Sequence, residues 1–297
     1  MKLLHAVPFN NSTLTFYLPK GSYGGFLISY TGTNNATAKT RKNLGSVQLV
    51  YQNNPVINVD AEFLSYLADL KGGYITFVST ASSTLNATIF IPAGQFGDTN
   101  NSYIVSDKSK FYFKLDFPDL ANISGTVSIY GINKLGVQNY IYGMFSRNVV
   151  ASGASTVSDV HRQSNIVGTY IKSNSSVSTY QLIKDNQVIA DASLQDLAEL
   201  SDFLNRVETS NTLVEIPMNL SKDVREAVSS EIQFKVNFTG ATTLEQYFTY
   251  LLFTPTEAVL SVREINSNLQ AKIGAGLIRD IPKPVLIKEP VGTIPVD

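Results

Sequence analysis

The chain has 297 residues, enough for one large domain or for two domains of roughly 130 to 150 residues. Charged residues make up only 16% of the sequence and the net charge is −1, so we expect no dense positive surface of the kind that binds naked nucleic acid. Because cysteine is absent, disulfides, thiolate nucleophiles and cysteine-ligated metal sites are excluded.

The beginning of the chain does not resemble a secretion signal. Residues 1–19 contain a short apolar run that is broken by His5 and Pro8, whereas a signal peptide needs a continuous apolar core. No stretch approaches the ~18 apolar residues that span a bilayer. We therefore expect a soluble protein that is used without signal cleavage.

Alternation of apolar and polar residues predicts strands along most of the chain. Leu14, Phe16 and Leu18 alternate with threonine and tyrosine, and a turn follows at residues 19–21. Period 2 with one apolar face is typical of a half-buried strand. Further strands are predicted at residues 25–30, 74–78, 111–117, 166–171, 177–183 and 232–238.

One short motif occurs twice. QLVYQNNPVI begins at Gln48, and QLIKDNQVIA begins at Gln181, 133 residues later. Because further pairs recur in the same order in both halves, we infer that one fold is duplicated. The further pairs are TIFIP (88–92) with LVEIP (213–217), FKLDF (113–117) with FKVNF (234–238), and SIYGIN (128–133) with SVREIN (261–266).

The two copies of the opening motif are predicted to be equivalent strand–turn–strand units. Asn53 and Asn186 are expected at matching turns. The first copy has Asn54-Pro55 where the second has the single residue Gln187, which predicts one extra residue at the first turn.

An amphipathic helix is predicted after each copy of the motif. In the first copy, Asp60 is the expected N-cap of a helix over residues 61–70, and the glycines at 72 and 73 end it. In the second copy, Ser193 is the expected N-cap of a helix that extends to residue 207. Asp196 occupies the third helical position, as in a capping box. The apolar stripes are Phe63, Leu64, Leu67 and Leu70 in the first helix, and Leu194, Leu197, Leu200, Phe203, Leu204 and Val207 in the second.

Two later segments and the end of the chain are less regular. Residues 221–230 are predicted to form a short helix, and residues 244–253 fit either a buried strand or a helix. Four prolines after Arg279 exclude a helix and a central strand, so an extended tail is expected there. We expect this tail to contact a neighbouring subunit or an underlying layer.

These patterns predict an all-β fold of two tandem antiparallel β-sandwiches or β-barrels, such as jelly-roll β-barrels, with a few short helices. Alternating runs, instead of continuous Val/Ile/Leu runs, and the small number of helices disfavour a parallel α/β fold. The expected domains are an N-terminal jelly roll at residues 1–147, a C-terminal jelly roll at 148–280 and a proline-rich tail at 281–297. The join lies in the Ser-, Ala- and Gly-rich segment 145–160.

The N-terminal segment resembles a known family. LPKGSY at residues 18–23, FLI at 26–28 and TGT at 31–33, followed by the motif at Gln48 and a short helix, are similar to the N-terminal jelly roll of the corticovirus-type major capsid protein. That family builds the icosahedral shells of membrane-containing bacteriophages. The resemblance implies a double jelly roll and a homotrimer whose six barrels form a pseudo-hexagonal capsomer.

The sequence contains no recognisable catalytic motif. His5 and His161 are isolated, and the GxSxG, HExxH and GxxxxGK[ST] patterns are absent. Acidic residues cluster at Asp185, Asp191, Asp196 and Glu199, where a turn and a helix surface explain them as solvated charges. We therefore assign no catalytic, cofactor-binding or metal-binding residue. A structural calcium ion on loop oxygens is compatible with the sequence, but no spaced motif locates one.

The leading hypothesis is a non-enzymatic major capsid protein of an icosahedral phage, located in the virion capsid and assembled in the host cytoplasm. Its expected partners are copies of itself in trimers and neighbouring capsomers, penton or spike proteins, and membrane-associated virion proteins; no direct binding to nucleic acid is expected. A tandem β-sandwich adhesin that binds a receptor as a lectin does is the alternative. A glycan-active enzyme that uses a carboxylate pair is a weaker one.

Overall fold

Strands form most of the chain in the computed structural model. The structure describes residues 1–10, 12–71, 76–95, 100–107, 110–136, 138–161, 166–184, 186–205, 213–216 and 232–252. Among the predicted features outside these residues are the helix at 221–230, the motif at 261–266, the tail at 281–297 and the helix-ending glycines at 72 and 73.

The first half contains ten described strands and one α-helix. In chain order they are β1 (Lys2–Pro8), β2 (Thr13–Tyr17), β3 (Gly21–Thr33), β4 (Ser46–Tyr51), β5 (Asn54–Asp60), α1 (Ala61–Leu70), β6 (Phe77–Ser79), β7 (Thr84–Pro92), β8 (Tyr103–Val105), β9 (Phe111–Asp116) and β10 (Ser124–Asn133). Short 3₁₀ helices lie at Arg41–Leu44 and Pro118–Leu120.

The second half contains eight described strands and one α-helix. They are β11 (Ile141–Ala151), β12 (Ser155–His161), β13 (Ile166–Lys172), β14 (Val177–Lys184), β15 (Gln187–Ser193), α2 (Leu194–Asn205), β16 (Leu213–Ile216), β17 (Ile232–Phe238) and β18 (Thr242–Leu252).

The strand order shows that the same barrel occurs twice. In the first copy the two sheets have the orders β1-β10-β3-β7 and β2-β9-β4-β5, with β6 and β8 added at the margins. In the second copy they have the orders β11-β18-β13-β16 and β12-β17-β14-β15. Each of the eight principal strands of one copy therefore has a counterpart at the same place in the other. Two four-stranded sheets per copy are a jelly roll, which confirms the predicted fold class.

The two barrels share one sheet. β5 of the first barrel runs parallel to β11 of the second, with Ile57 opposite Met144. This pairing joins two four-stranded sheets into the eight-stranded sheet β16-β13-β18-β11-β5-β4-β9-β2. The predicted domain boundary at 147/148 lies within β11, and the hydrophobic cores divide along the same strand, with Met144 in the first cluster and Val149 in the second.

The two matching turns predicted from the motif are present. Asn53 has a φ of 67° and Asn186 a φ of 64°, so both adopt the left-handed conformation. Asparagine tolerates this region better than other non-glycine residues, which explains its presence at both positions.

The extra residue predicted at the first turn is wrong. Tyr51 pairs with Asn54 and Lys184 pairs with Gln187, so both loops contain two residues. Each hairpin then has a register shift at the equivalent position, one residue beyond these pairs. The hairpins therefore correspond residue for residue at an offset of 133, including the bulge that both of them contain, and neither has an insertion relative to the other.

Helix α1 has the predicted bounds and buries the predicted stripe. The predicted cap is wrong in one respect, because the Asp60 side chain makes no capping hydrogen bond. The backbone N–H of Ala61 donates to the carbonyl oxygen of Gly45 at 2.9 Å, so one of the free donors at the helix start is satisfied by the chain before β4.

Helix α2 has the cap that the sequence predicts. The Ser193 Oγ accepts a hydrogen bond from the Asp196 backbone N–H at 3.1 Å and donates to the Asp196 Oδ2 at 2.6 Å. The described helix ends at Asn205, and the predicted last turn lies outside the described residues.

Residues 244–252 form a strand, which decides between the two predicted alternatives. β18 pairs with β11 along one edge and with β13 along the other. It takes the place in the second barrel that β10 takes in the first, between the counterparts of β1 and β3. The structural counterpart of SIYGIN is therefore β18, not the predicted residues 261–266.

Candidate functional site at the contact between the barrels

Helix α1 lies between the two barrels. Seven of its ten residues are buried, more than the single stripe that an amphipathic surface helix buries. One side packs in the core of the first barrel, and the other side meets β13, β16 and β18 of the second.

An aromatic cluster forms the centre of this contact. The ring of Phe63 on α1 stacks on the ring of Tyr247 on β18, with centroids 4.1 Å apart and planes at 4°. Tyr170 on β13 approaches the same ring edge-on at 5.9 Å. All three side chains are buried, so the contact between the barrels has the character of a protein core.

An ion pair lies at the C-terminal end of α1. The Lys71 Nζ donates to both carboxylate oxygens of Glu215 on β16, at 2.7 and 2.6 Å, and to the Asn205 Oδ1 at 3.0 Å. The Asn205 Nδ2 and the Tyr170 hydroxyl also donate to this carboxylate, at 2.7 and 3.3 Å. Exposed fractions of 17% for the Lys71 side chain and 19% for that of Glu215 mean that water screens the pair only partly.

A second ion pair lies at the N-terminal end of α1. The Lys172 Nζ on β13 donates to Glu62 at 2.7 Å and to Glu245 at 3.3 Å. Burial lowers the pKa of Lys172, but the two carboxylates outweigh it, so this pKa is raised. The hydroxyl of Tyr247 donates to the same Glu245 carboxylate at 2.9 Å, and burial together with that charge raises the Tyr247 pKa.

Tyr250 connects β18 to the first barrel. Its hydroxyl donates to the carbonyl oxygen of Val56 on β5 at 2.9 Å, and burial raises its pKa to about 12. Its ring lies against Gly143 on β11, where a side chain would collide with it. A glycine at this position of the strand therefore makes room for the aromatic ring.

The arrangement as a whole suits a rigid structural contact. Its carboxylates and ammonium groups are engaged with one another, and its rings are packed together. Nothing among these residues presents an unengaged acid, base or nucleophile to a cleft. The chemistry that the geometry supports is the fixing of one barrel against the other.

The residues considered for catalysis have local structural roles where the structure describes them. His5 stacks on Phe16 with ring centroids 4.4 Å apart. Asp191 accepts a hydrogen bond from Gln181 at 2.8 Å, and Glu199 accepts one from Gln195 at 3.3 Å.

The side chains of Asp185 and His161 lie outside the part of the chain that the structure describes. Within the described ranges, no group of three or more His, Asp or Glu side chains is placed to hold a metal ion. In the same ranges, neither α-helix is long and apolar enough to cross a membrane.

The residues of the inter-barrel contact were missed from the sequence, apart from Phe63. Lys71 and Glu215 are 144 positions apart, and Glu62 and Lys172 are 110 positions apart. No periodic signal connects residues at such separations. The one local indication was the position of Phe63 in the apolar stripe of α1.

Comparison with solved structures shows where this architecture occurs. The STIV MCP matches with a TM-score of 0.64 and 12% identity over 84% of this chain and 96% of that one. The major capsid protein P2 from bacteriophage PM2 matches with a TM-score of 0.63 and 14% identity, over 86% of this chain and 96% of that one. The PBCV-1 virus capsid matches with a TM-score of 0.57 and 7% sequence identity, over 84% of this chain and 92% of that one. No protein-family model and no curated protein matches the sequence.

The fold defined by these matches is the double jelly roll of viral major capsid proteins. The chain has this fold over both barrels. The fold implied by the N-terminal resemblance is thereby confirmed.

Proposed function

We propose that the protein is the major capsid protein of an icosahedral virus of the phage type and has a structural, non-enzymatic role. The observation that carries the proposal is the pair of jelly rolls with identical strand order, joined in one sheet and packed on a shared helix. Solved capsid proteins have this architecture over almost their whole length.

The rigid contact between the barrels gives this architecture a geometric use. A chain that holds two equivalent barrels in a fixed relation supplies two of the six positions of a hexagonal unit. Three chains then form a homotrimer with six barrels, which tiles a flat facet without six identical subunits. We propose this pseudo-hexagonal capsomer as the assembled form.

The division of the chain belongs to the same proposal. It comprises an N-terminal barrel at 1–147, a C-terminal barrel at 148–280 and a tail at 281–297 that contacts a neighbouring subunit or the layer beneath. The remaining partners are neighbouring capsomers, penton or spike proteins and membrane-associated virion proteins. The capsid is assembled in the host cytoplasm. The net charge of −1 supports a shell that does not bind nucleic acid directly.

The mass and the appearance of the purified protein test the proposal. Sedimentation velocity should give three times the 32.5 kDa chain mass, and electron microscopy should show hexagonal particles or shells. A protein that stays monomeric at micromolar concentration and forms no shells contradicts it. In a virion preparation the chain should be the dominant stained band, whereas a receptor-binding adhesin would be a minor one.

A further inference from the structure

Helix α2 has an apolar face that the described residues leave uncovered. Phe203 is 79% exposed, Leu204 42% and Leu200 37%. These positions follow the i, i+3, i+4 spacing, so the three side chains lie on one side of the helix. Leu194 and Leu197, nearer the start of the same apolar stripe, are buried in the core of the second barrel.

The equivalent face of α1 is covered. Both helices follow equivalent hairpins, so at the offset of 133 residues Leu200 corresponds to Leu67 and Phe203 corresponds to Leu70. The exposed fractions of Leu67 and Leu70 are 1% and 0%. Leu67 and Leu70 follow Phe63 by four and seven residues, so they lie on the side of α1 that contacts the second barrel through Phe63. The corresponding side of α2 has no such barrel beside it among the described residues.

The surface that receives α1 is one cross-strand row of the second barrel. In this row Tyr170 on β13 is flanked by Glu215 on β16 and Tyr247 on β18. These are the residues that contact Phe63 and Lys71 of α1.

The first barrel has the equivalent row. Leu27 on β3 is flanked by Phe90 on β7 and Tyr130 on β10. A bulge precedes the row in each barrel, at Gly24 in β3 and at Val167 in β13, and the equivalence of the two rows is counted from it. The neighbours of Leu27 along β3 are buried while Leu27 is half-buried, so the row lies on the outer face of the sheet. Leu3, 52% exposed, pairs with Tyr130 and extends the row.

The two sides of the missing contact match in chemistry at the position of the Lys71–Glu215 ion pair. In the contact within the chain, Lys71 at the end of α1 binds Glu215 of the receiving row. The counterpart of Lys71 is Leu204, and the counterpart of Glu215 is Phe90. An ion pair at one position is therefore replaced by two apolar side chains at the other, so that both partners changed together. An isolated exposed patch would not predict an apolar partner at the equivalent place.

We propose that the α2 face formed by Leu200, Phe203 and Leu204 docks on the row formed by Phe90, Leu27, Tyr130 and Leu3 in a second copy of this chain. The inference rests on the proposed homotrimer and identifies the surfaces that hold it together. The contact is head-to-tail and repeats the α1 contact from one chain to the next. A ring of three chains closes when every α2 face is occupied, because the repeating unit is half a chain and six units complete the ring.

Cross-linking between introduced cysteines tests the contact directly, because the native chain contains no cysteine. The variant L204C/F90C, treated with a short bismaleimide, should give covalent dimers and trimers in a denaturing gel. The matched control L204C/Y17C places the second thiol on β2 of the other sheet of the first barrel, at a residue that is 69% exposed, and should stay monomeric. Cross-linking of L204C/F90C within one chain, or equal cross-linking of the control, overturns the proposal.

A surface substitution separates this proposal from the proposed function. F203K should leave the far-ultraviolet circular dichroism and the thermal unfolding of the monomer unchanged, since the side chain is exposed, but should raise the trimer dissociation constant at least tenfold. Y17K should leave assembly unchanged. Trimers that persist in F203K overturn the docking surface while supporting the homotrimer, whereas a wild-type monomer overturns the homotrimer itself.

Reaction of the thiol in F203C with a maleimide distinguishes a second copy from another segment of the same chain. The thiol should react fast in dilute monomer and slowly in the trimer. Slow reaction in both states means that the chain covers its own helix, which also overturns the proposal.

Discussion

Phe63 and Tyr247 lie in different barrels, 184 positions apart in the sequence, and their rings stack with centroids 4.1 Å apart. A large buried aromatic side chain contributes through the apolar area that it removes from water and through ring contact. This stack therefore connects the folding of the first barrel to that of the second.

Replacing Phe63 by alanine should destabilise both barrels together. The loss of a buried phenylalanine costs about 3 to 5 kcal/mol, because the transfer energy is lost and a cavity remains. Chemical denaturation followed by tyrosine fluorescence should show this loss as one transition with a lower midpoint. L135A is the control and should change the free energy of unfolding by less than about 0.5 kcal/mol, since Leu135 is 99% exposed. A change in F63A as small as that of the control would refute a structural role for the stack.

The ion pair between Lys71 and Glu215 should couple the barrels by a measurable amount. K71M and E215Q should each lower the free energy of unfolding by about 1 to 3 kcal/mol, because each leaves a largely buried charge without the opposite charge beside it. The double variant should lose less than the sum, with a coupling energy of about 1 kcal/mol or more in a double-mutant cycle.

The exposed pair between Lys20 and Asp107 provides the comparison for this cycle. Its side chains are 69% and 77% exposed, so water and salt screen the attraction. The K20M/D107N cycle should give a coupling below about 1 kcal/mol that disappears in high salt. Equal coupling energies for the two pairs would show that burial at the barrel contact has no energetic effect.

Tyr30 carries a hydroxyl that costs stability. Its side chain is fully buried, and the oxygen has no hydrogen-bond partner among the residues that the structure describes. Y30F removes the unsatisfied group and keeps the ring, so it should raise the free energy of unfolding by about 1 kcal/mol. The matched variant Y103F should do the opposite, because the Tyr103 hydroxyl donates to the carbonyl oxygens of Pro92 and Tyr142 at 3.2 and 3.0 Å. Destabilisation by Y30F would show that the hydroxyl has a partner.

The protein should lose stability above pH 10. Burial raises the pKa of Tyr30 and of Tyr142 well above the ordinary value of 10.0. The unfolded chain therefore releases these protons first, and the stabilisation is complete below pH 10 and decreases as the pH rises toward the folded pKa values. In an alkaline titration, most of the tyrosinate absorbance at 295 nm should appear together with unfolding, and Y30F should show a shallower loss of stability. Ionisation of all tyrosines while the fold persists would contradict this expectation.

Much of the fold could be predicted from local patterns. Period-2 alternation identified the strands, and Asn53 and Asn186 marked turns that both need a left-handed residue. Three predictions were wrong. The backbone N–H of Ala61 at the start of α1 donates to the carbonyl oxygen of Gly45 while the Asp60 side chain makes no capping bond, and the first turn contains no extra residue. The counterpart of SIYGIN is β18 instead of residues 261–266.

The sequence alone determined that one strand-rich unit is present twice, because repeated motifs and side-chain periods are properties of short segments. The tertiary structure decided which faces meet. Only packing shows that Leu70 is buried while Phe203 at the equivalent position is exposed, since both belong to similar apolar stripes. The physical reason is that burial of a helix face depends on residues 100 or more positions away in the sequence, such as Tyr170 and Glu215 for α1, whose placement no local period records.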